Sequence, residues 1–531
     1  MTLTVTDGTG HSGQCTAVVT VVDALHFTQV AAPVATDGLA GDRLGHGVGL
    51  WGGVLVAGAP DDKVGTQSKQ GAAYVFLQDA GGTDNWGQLK QVKASDGAAV
   101  DYFGNAVSVD GGLALVGAHG DNVGAATDAG SAYIYEKDHL GPDNWGQRAK
   151  FGAVNGGTPE PAAYDYFGNA VSLRGGRAVV GAAKKQVGPN AAQGAVYVHE
   201  KDAGGANAWG HVKKLVASDG GANNFFGQSV AQWGDAVLVG ASGNLGNRGA
   251  AYLFGKDTGG AGNWGQGQKL TASDAAVGDG FGTSVSLTSG HAIIGAPNKS
   301  TYAGAAYIFK NDGGSWSQAK KLVASDGAPG DRFGTSVWLS GDHAYVSAVQ
   351  AGGAGAVYVF HRDAGGAGNW GEVGKYQPSG GSPGERFGHA LAASGDRVAL
   401  GAPLSDVSGR VDQGRAYVLD GEDCGGLPRL QAGEQQTATA TKRAPARGLA
   451  LSAYPNPFAD ELRVELAIEA QAVAGTRVVL ADATGRPVAE AEFAAGQAFA
   501  VLRTAALQPG MYFVQARTKA GLQVVPVALV R

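Results

Sequence analysis

The chain is poor in cysteine and in charged residues. It contains two cysteines among 531 residues, and Asp, Glu, Lys and Arg together make up 16%. The eleven histidines are scattered, and neither a His-x-x-x-His pair nor a cysteine cluster offers the spacing of metal ligands. The composition therefore gives no sign of a metalloenzyme.

A basic excess and a long apolar segment are also missing. The formal net charge of -6 gives no basic face for nucleic acid or for an anionic membrane. No apolar run is long enough to span a bilayer. We therefore expect neither a nucleic-acid partner nor a transmembrane segment.

The chain is rich in glycine, and its 90 glycines recur at fixed places in a repeat. The stretch 326–337 returns six more times, and the copies align on a Phe-Gly or Leu-Gly pair. These pairs are Leu44-Gly45, Phe103-Gly104, Phe167-Gly168, Phe226-Gly227, Phe281-Gly282, Phe333-Gly334 and Phe387-Gly388. A period of 52 to 64 residues predicts modules that cannot bury their apolar faces alone.

Each copy predicts four short strands. The Phe-Gly segment is followed by an apolar run that ends in a corner such as Gly58-Ala59-Pro60. A third strand then carries a tyrosine with glycine three residues before it, from Gly71 and Tyr74 to Gly414 and Tyr417. In six copies a fourth, Trp-led segment follows. We therefore predict an all-β fold, a seven-bladed β-propeller over residues 24–421.

The seventh copy ends at Asp420 and has no Trp-led strand. The segment 25–30 precedes the first copy just as 321–323 precedes the sixth, so we expect it to complete the seventh blade. Closure of this kind removes two open sheet edges.

Phe-Gly followed by Gly-Ala-Pro resembles the FG-GAP repeat of the integrin α-chain propeller and of many secreted bacterial proteins. The resemblance implies an extracellular propeller. In integrins, calcium loops of the Asp-x-Asp-x-Asp-Gly kind often join the first two strands, but the loops here are as short as 108–112. One or two carboxylates cannot assemble a calcium cage, so we expect no cofactor and leave calcium open.

Residues 1–23 read as two alternating strands, similar to the end of an immunoglobulin-like module of the PKD or HYR type. The segment lacks the features of a secretion signal, so we expect Met1 to lie within a longer natural protein. We expect that the partner of Cys15 lay in the missing part of that module; a Cys15–Cys424 bridge is the alternative, since both cysteines flank the ring closure.

Residues 422–450 are small and polar and predict a flexible linker. Residues 451–531 alternate as in a small Ig-like β-sandwich. Their motifs resemble the type A sorting domain of the type IX secretion system; the matching residues are Tyr454, Pro455, Asn456, Pro457, Phe458, Gly485, Gly510 and Tyr512. This resemblance implies the type IX machinery as partner and a secreted or cell-surface location in a Gram-negative bacterium.

Two groups of residues are candidates for ligand binding. The loops between the second and third strands are longest in copies seven, one, two and three, which adjoin in a closed ring, and they carry Asp61, Asp62 and Asp121. Polar residues directly after each Phe-Gly or Leu-Gly should circle the channel mouth: His46, Asn105, Asn169, Gln228, Thr283, Thr335 and His389. Loop drift and strand-end hydrogen bonding are the alternatives without a ligand.

Acidic residues stand two positions before the Phe or Leu in six of the seven copies, which is typical of turn chemistry rather than catalysis; they are Asp42, Asp101, Asp165, Asp279, Asp331 and Glu385. We therefore expect a secreted or surface adhesion protein that recognises an extracellular protein or glycan, and not an enzyme. A carbohydrate-active lyase or hydrolase is the alternative, and would need paired carboxylates in one pocket. A spacer without a ligand is the third.

Overall fold

The computed structural model describes residues 2–6, 12–16, 26–82, 85–139, 141–378, 381–395 and 397–422, together with seven strands between residues 450 and 529. The chain divides into two compact units, Met1–Pro428 and Arg429–Arg531. Among the described residues, no helix has the length and apolarity that crossing a membrane requires.

Seven four-stranded antiparallel sheets form the blades of a propeller in the first unit. Each follows the chain from its inner to its outer strand. Blade 1 is Val48–Trp51, Val54–Ala59, Ala72–Leu77 and Gly87–Val92. Blade 2 is Val107–Asp110, Leu113–Ala118, Ser131–Glu136 and Gly146–Phe151. Blade 3 is Phe167–Arg174, Arg177–Ala182, Ala195–Lys201 and Trp209–Leu215.

Blades 4 to 6 repeat this order. Blade 4 is Ser229–Trp233, Ala236–Ala241, Ala250–Gly255 and Gly265–Leu270. Blade 5 is Ser284–Leu287, His291–Ala296, Ala305–Asp312 and Ser315–Leu322. Blade 6 is Phe333–Ser340, His343–Ala348, Ala356–His361 and Gly371–Tyr376. Between blades 2 and 3, the additional hairpin Val154–Asn155 and Thr158–Pro159 accounts for the longest repeat spacing.

Blade 7 closes the ring with a strand from the other end of the chain. Its own strands are Leu391–Ser394, Arg397–Ala402 and Arg415–Glu422, and its outer strand is His26–Ala31. The outer strand pairs antiparallel with the third, with Thr28 opposite Asp420 and Gln29 opposite Leu419. The expected closure is confirmed.

The core lies between blades rather than within them. One apolar cluster joins Val56 and Val75 of blade 1 to Phe103 and Val116 of blade 2. Another joins Val418 of blade 7 to blade 1, so packing as well as strand pairing closes the ring. Burying each sheet against its neighbours explains why a single repeat could not fold alone.

Glycines join neighbouring blades where backbones touch. Gly71, three residues before Tyr74, has φ +81°, and a Cβ there would lie 2.1 Å from the Phe103 carbonyl oxygen of the next blade. A Cβ on Gly58 would lie 1.9 Å from the Gly104 carbonyl oxygen. Only glycine permits such approaches. The repeated Phe-Gly, Gly-Ala and single-glycine motifs therefore form one inter-blade contact.

Outside the propeller, Thr2–Thr6 and Ser12–Thr16 form an antiparallel hairpin. The second unit has a three-stranded and a four-stranded sheet. Their strands are Ala450–Tyr454, Glu461–Ala467, Arg477–Asp482, Pro487–Glu492, Phe499–Arg503, Gly510–Thr518 and Gly521–Leu529. The sandwich stays a prediction, and Cys424 lies outside the described residues.

Candidate functional site

The inner strands of all seven blades surround a central cavity of about 940 Å³. In blade 2, Val107 and Val109 are buried, whereas Ala106, Ser108 and Asp110 are half-buried at the cavity wall. Successive side chains of an inner strand therefore point alternately into the core between blades and toward the channel. We call the end with the connections between blades and between second and third strands the loop face, and the opposite end the turn face.

The predicted polar ring lies at the loop-face end of this cavity, but most of its side chains are hydrogen-bonded to the protein. Asn105 donates to the carbonyl of Gly168 (3.1 Å), and Asn169 donates to that of Gly227 (3.2 Å). Thr283 and Thr335 each donate to a carbonyl three residues earlier, and Gln228 bonds Ser242. These bonds join neighbouring blades or fix turns, so they favour strand-end hydrogen bonding over a preformed ligand ring.

Two histidines of the ring touch each other. The His46 and His389 rings have centroids 4.7 Å apart, and His46 Nδ1 lies 3.0 Å from the Asn105 carbonyl oxygen. Burial lowers the pKa of His389 to about 3 and also lowers that of His46. Both imidazoles are therefore neutral at pH 7.

Acidic residues two positions before six of the seven Phe-Gly or Leu-Gly pairs fix turns. Asp101 Oδ2 accepts from the Ala98 amide (2.6 Å), and Asp279 and Glu385 bond the amides of Ala276 and Ser382 in the same way. In blades 3 and 5 a buried lysine forms an ion pair with this turn residue. Lys185 lies 2.8 Å from Asp165, and Lys299 lies 2.7 Å from Asp279.

In blades 1 and 2, aspartates replace these lysines. Asp62 and Asp121 are 5% exposed, so they lie beneath the loop face rather than on its rim. Each accepts a hydrogen bond from the repeated tyrosine, Tyr74 (2.7 Å) or Tyr133 (3.2 Å). Asp61 lies nearer the surface and pairs with Arg43 at 3.0 Å.

The same replacement places like charges together. Burial, with a contribution from Asp62, raises the pKa of Asp42 to about 6. Burial and Asp121 likewise raise the pKa of Asp101 to about 6. Among the described residues, no cluster of three or more His, Cys, Asp or Glu has an arrangement suited to a metal ion.

The loop face carries aromatic and basic side chains at one repeat position, the residue directly before each Phe-Gly or Leu-Gly. Blades 2 to 4 have Tyr102, Tyr166 and Phe225 there, and blades 6, 7 and 1 have Arg332, Arg386 and Arg43. All six have positive φ. The aromatic and basic positions therefore occupy opposite arcs around the centre, a division that the sequence analysis missed although the alignment contains it.

Family models account for most of the chain. The FG-GAP repeat model matches seven times, at residues 27–76, 86–135, 145–199, 209–254, 264–309, 316–360 and 370–419. The chain belongs to the FG-GAP repeat family. Residues 452–527 of this FG-GAP protein match the secretion system C-terminal sorting domain. That domain marks the protein for type IX handling and for secretion or cell-surface display in Bacteroidetes.

Of the sorting-motif residues, Tyr454, Gly510 and Tyr512 lie in described strands, whereas Pro455 to Phe458 and Gly485 lie outside the described residues. The strand containing Gly510 and Tyr512 pairs with both Arg477–Asp482 and Gly521–Leu529. It is thus an inner strand of the four-stranded sheet.

No curated protein matches the FG-GAP chain. Among solved structures, Sqt1 from Chaetomium thermophilum is 12% identical, with a TM-score of 0.41, over 75% of this chain and 91% of that one. The extracellular domain of a putative one-component system from B. thetaiotaomicron is 11% identical, with a TM-score of 0.38, over 96% of this chain and 59% of that one. Puromycin hydrolase is 12% identical, with a TM-score of 0.40, over 82% of this chain and 61% of that one. These likenesses are too distant to bear on function.

Proposed function

We propose that this exported FG-GAP propeller is a binding protein that recognises a protein ligand with its loop face. The exposed large hydrophobic side chains carry the proposal. Nine such side chains are found among the described residues, and eight lie in loop-face connections: Leu39, Val100, Tyr164, Leu245, Val277, Tyr302, Val323 and Val411. Exposed apolar surface concentrated on one face is typical of a protein-binding surface.

Backbone strain supports the same face. Leu245 to Asn247 in blade 4 and Ser300 to Tyr302 in blade 5 have three successive positive φ angles. Left-handed runs are costly for residues other than glycine and are found where a fixed loop shape has a use. They present Leu245 and Tyr302 at 63% and 48% exposure.

Charge refines the class of partner. Arg332 and Arg386 are exposed, and neither has an ion pair with a described residue, whereas Arg43 pairs with Asp61. A partner with apolar side chains over the aromatic arc and acidic ones over the basic arc fits this surface. The acidic pairs of blades 1 and 2 are buried and bonded within the repeat, which favours binding over catalysis at this face.

Photo-crosslinking tests the proposal. The photoreactive residue p-benzoylphenylalanine is introduced in place of Tyr164 on the loop face or of Lys137 on the turn face, and the full chain is expressed in a type IX-competent bacterium. We expect discrete protein adducts from position 164 and none from position 137. Adducts from both positions alike, or from 137 alone, would contradict a loop-face site.

A further inference from the structure

The turn-face end of the central channel has a rim unlike the rest of that face. The residue seven positions after the Phe or Leu of each Phe-Gly or Leu-Gly pair forms it: Trp51, Asp110, Arg174, Trp233, Thr288, Ser340 and Ser394 in blades 1 to 7. Blades 1 to 4 contribute large aromatic or charged side chains, and blades 5 to 7 contribute short hydroxyls. We propose that this rim binds a neutral saccharide, a site separate from the loop face.

Trp51 supplies an open aromatic surface. It is 46% exposed, and it is the one exposed large hydrophobic side chain among the described residues that lies on the turn face. It also lines the cavity. An indole in this position can stack against the C–H face of a pyranose ring, since one surface of such a sugar is apolar and its edges are polar.

Arg174 and Asp110 supply the polar contacts. The Arg174 guanidinium stacks on Trp233, 3.8 Å from the ring centroid, and has no carboxylate partner among the described residues. Its N–H groups are therefore available as donors. Asp110 accepts from the Gly175 amide through Oδ2 (2.8 Å), which fixes it to the turn that follows Arg174. Donors on Arg174 and an acceptor on Asp110, from adjacent blades of one rim, can bond hydroxyls at the edge of a sugar ring.

The rim is fixed before any ligand arrives. Ser394 Oγ accepts from the Gly52 amide (3.1 Å), and Ser340 Oγ donates to the Gly395 carbonyl (3.3 Å). Bonds from turn to turn therefore hold the positions next to Trp51. A preformed site loses less conformational entropy on binding.

Charge and depth define the class of ligand. The charged residues that line the cavity are Asp110, Arg174, Asp342 and Arg362, which carry no net charge, and Asp342 pairs with Arg362 at 2.7 Å. A neutral ligand fits better than a polyanion.

Trp338 lies in the channel wall where blades 2, 3 and 5 have serine, and it packs against clusters of blades 1 and 7. The saccharide therefore occupies the mouth rather than the full channel.

Calorimetry of the full chain tests the site with cellohexaose, maltohexaose, xylohexaose, hexagalacturonate and a proline hexapeptide. We expect at least one neutral hexaose to bind with a Kd between about 10 µM and 1 mM. Trp51→Ala should weaken that binding about tenfold, and Trp51→Phe should retain most of it. Tyr302→Ala, which removes a comparably exposed ring from the loop face, should leave it unchanged.

Three results would overturn the inference. They are no binding of any neutral hexaose, tighter binding of hexagalacturonate or the peptide, and full affinity in Trp51→Ala. Thermal melting of each variant shows whether the fold is intact. Since Trp51 is half-exposed and the loop face is untouched, failure here leaves the loop-face proposal standing.

Discussion

At the scale of single residues, the repeat fills one buried position with different charges. The position that holds Lys185 and Lys299 in blades 3 and 5 holds Asp62 and Asp121 in blades 1 and 2, and Asn244 in blade 4. Where lysine is present, it neutralises the turn aspartate. Where aspartate is present, burial, with a smaller contribution from that second carboxylate, raises the pKa of the turn aspartate to about 6.

The raised pKa of a buried turn aspartate makes stability depend on pH. The folded-state pKa of Asp101, about 6, lies above the ordinary value of 3.8, so the charged form destabilises the fold. The contribution favours folding at low pH and is lost as pH rises through about 6. Asp101→Asn should therefore raise the free energy of unfolding at pH 7.5 by about 1 kcal/mol and change little at pH 4.5.

Urea denaturation of the full chain at the two pH values measures this effect. Asparagine keeps an acceptor for the Ala98 amide, and blade 4 already has Asn224 at the equivalent position, so the substitution fits the site. A loss of stability that is equal at both pH values would mean that the turn hydrogen bond, and not the charge, dominates.

Residue types predicted part of the site. The polar ring, the turn aspartates and the tyrosine positions follow from the alignment of seven copies. Sequence could not show that Asn105 and Asn169 bond the next blade, because those partners lie 63 and 58 residues away along the chain. It also placed Asp62 and Asp121 on the rim, since burial of a loop aspartate depends on the tyrosine that covers it.

At the scale of elements, the contact between blades depends on glycines that the sequence marked only as turn residues. Periodicity predicted the strands because each one is short, apolar and bounded by turns. The close approach of Gly71 to Phe103 is a relation between two blades, and a strand pattern carries no information about it.

Two glycines of one loop allow the cost of a lost close contact to be measured apart from the cost of backbone strain. Gly71 and Gly65 both have positive φ, but nothing lies within 4 Å of a Cβ on Gly65. Gly65→Ala should cost only the strain of the left-handed conformation, about 1 kcal/mol. Gly71→Ala should cost about 3 kcal/mol or more, because a backbone oxygen must move as well.

The two melting temperatures, measured side by side, give the comparison. Equal losses in the two variants would show that backbone strain alone explains the repeated glycine. A larger loss in Gly71→Ala supports a contact with the next blade. Because both substitutions lie in blade 1, differences between blades do not affect the comparison.

At the scale of the whole molecule, a closed ring of seven blades presents two distinct faces. The loop face concentrates exposed apolar side chains, and the turn face surrounds a channel mouth. The closure could be predicted because the last copy lacks one strand and the first is preceded by a spare one. The contrast between the faces could not, since exposure depends on which side chains the neighbouring blades cover.

A designed disulfide tests the closure most directly. In a chain with Cys15→Ser and Cys424→Ser, Thr28→Cys is combined with Asp420→Cys, the residue opposite it, or with Asp312→Cys in blade 5 as control. Paired strand residues lie within disulfide distance, so we expect the 28–420 bond to form under mild oxidation and to raise the melting temperature. Adding a reductant should reverse that increase. No bond at 28–420, or an equal yield at 28–312, would contradict a ring closed by its first strand.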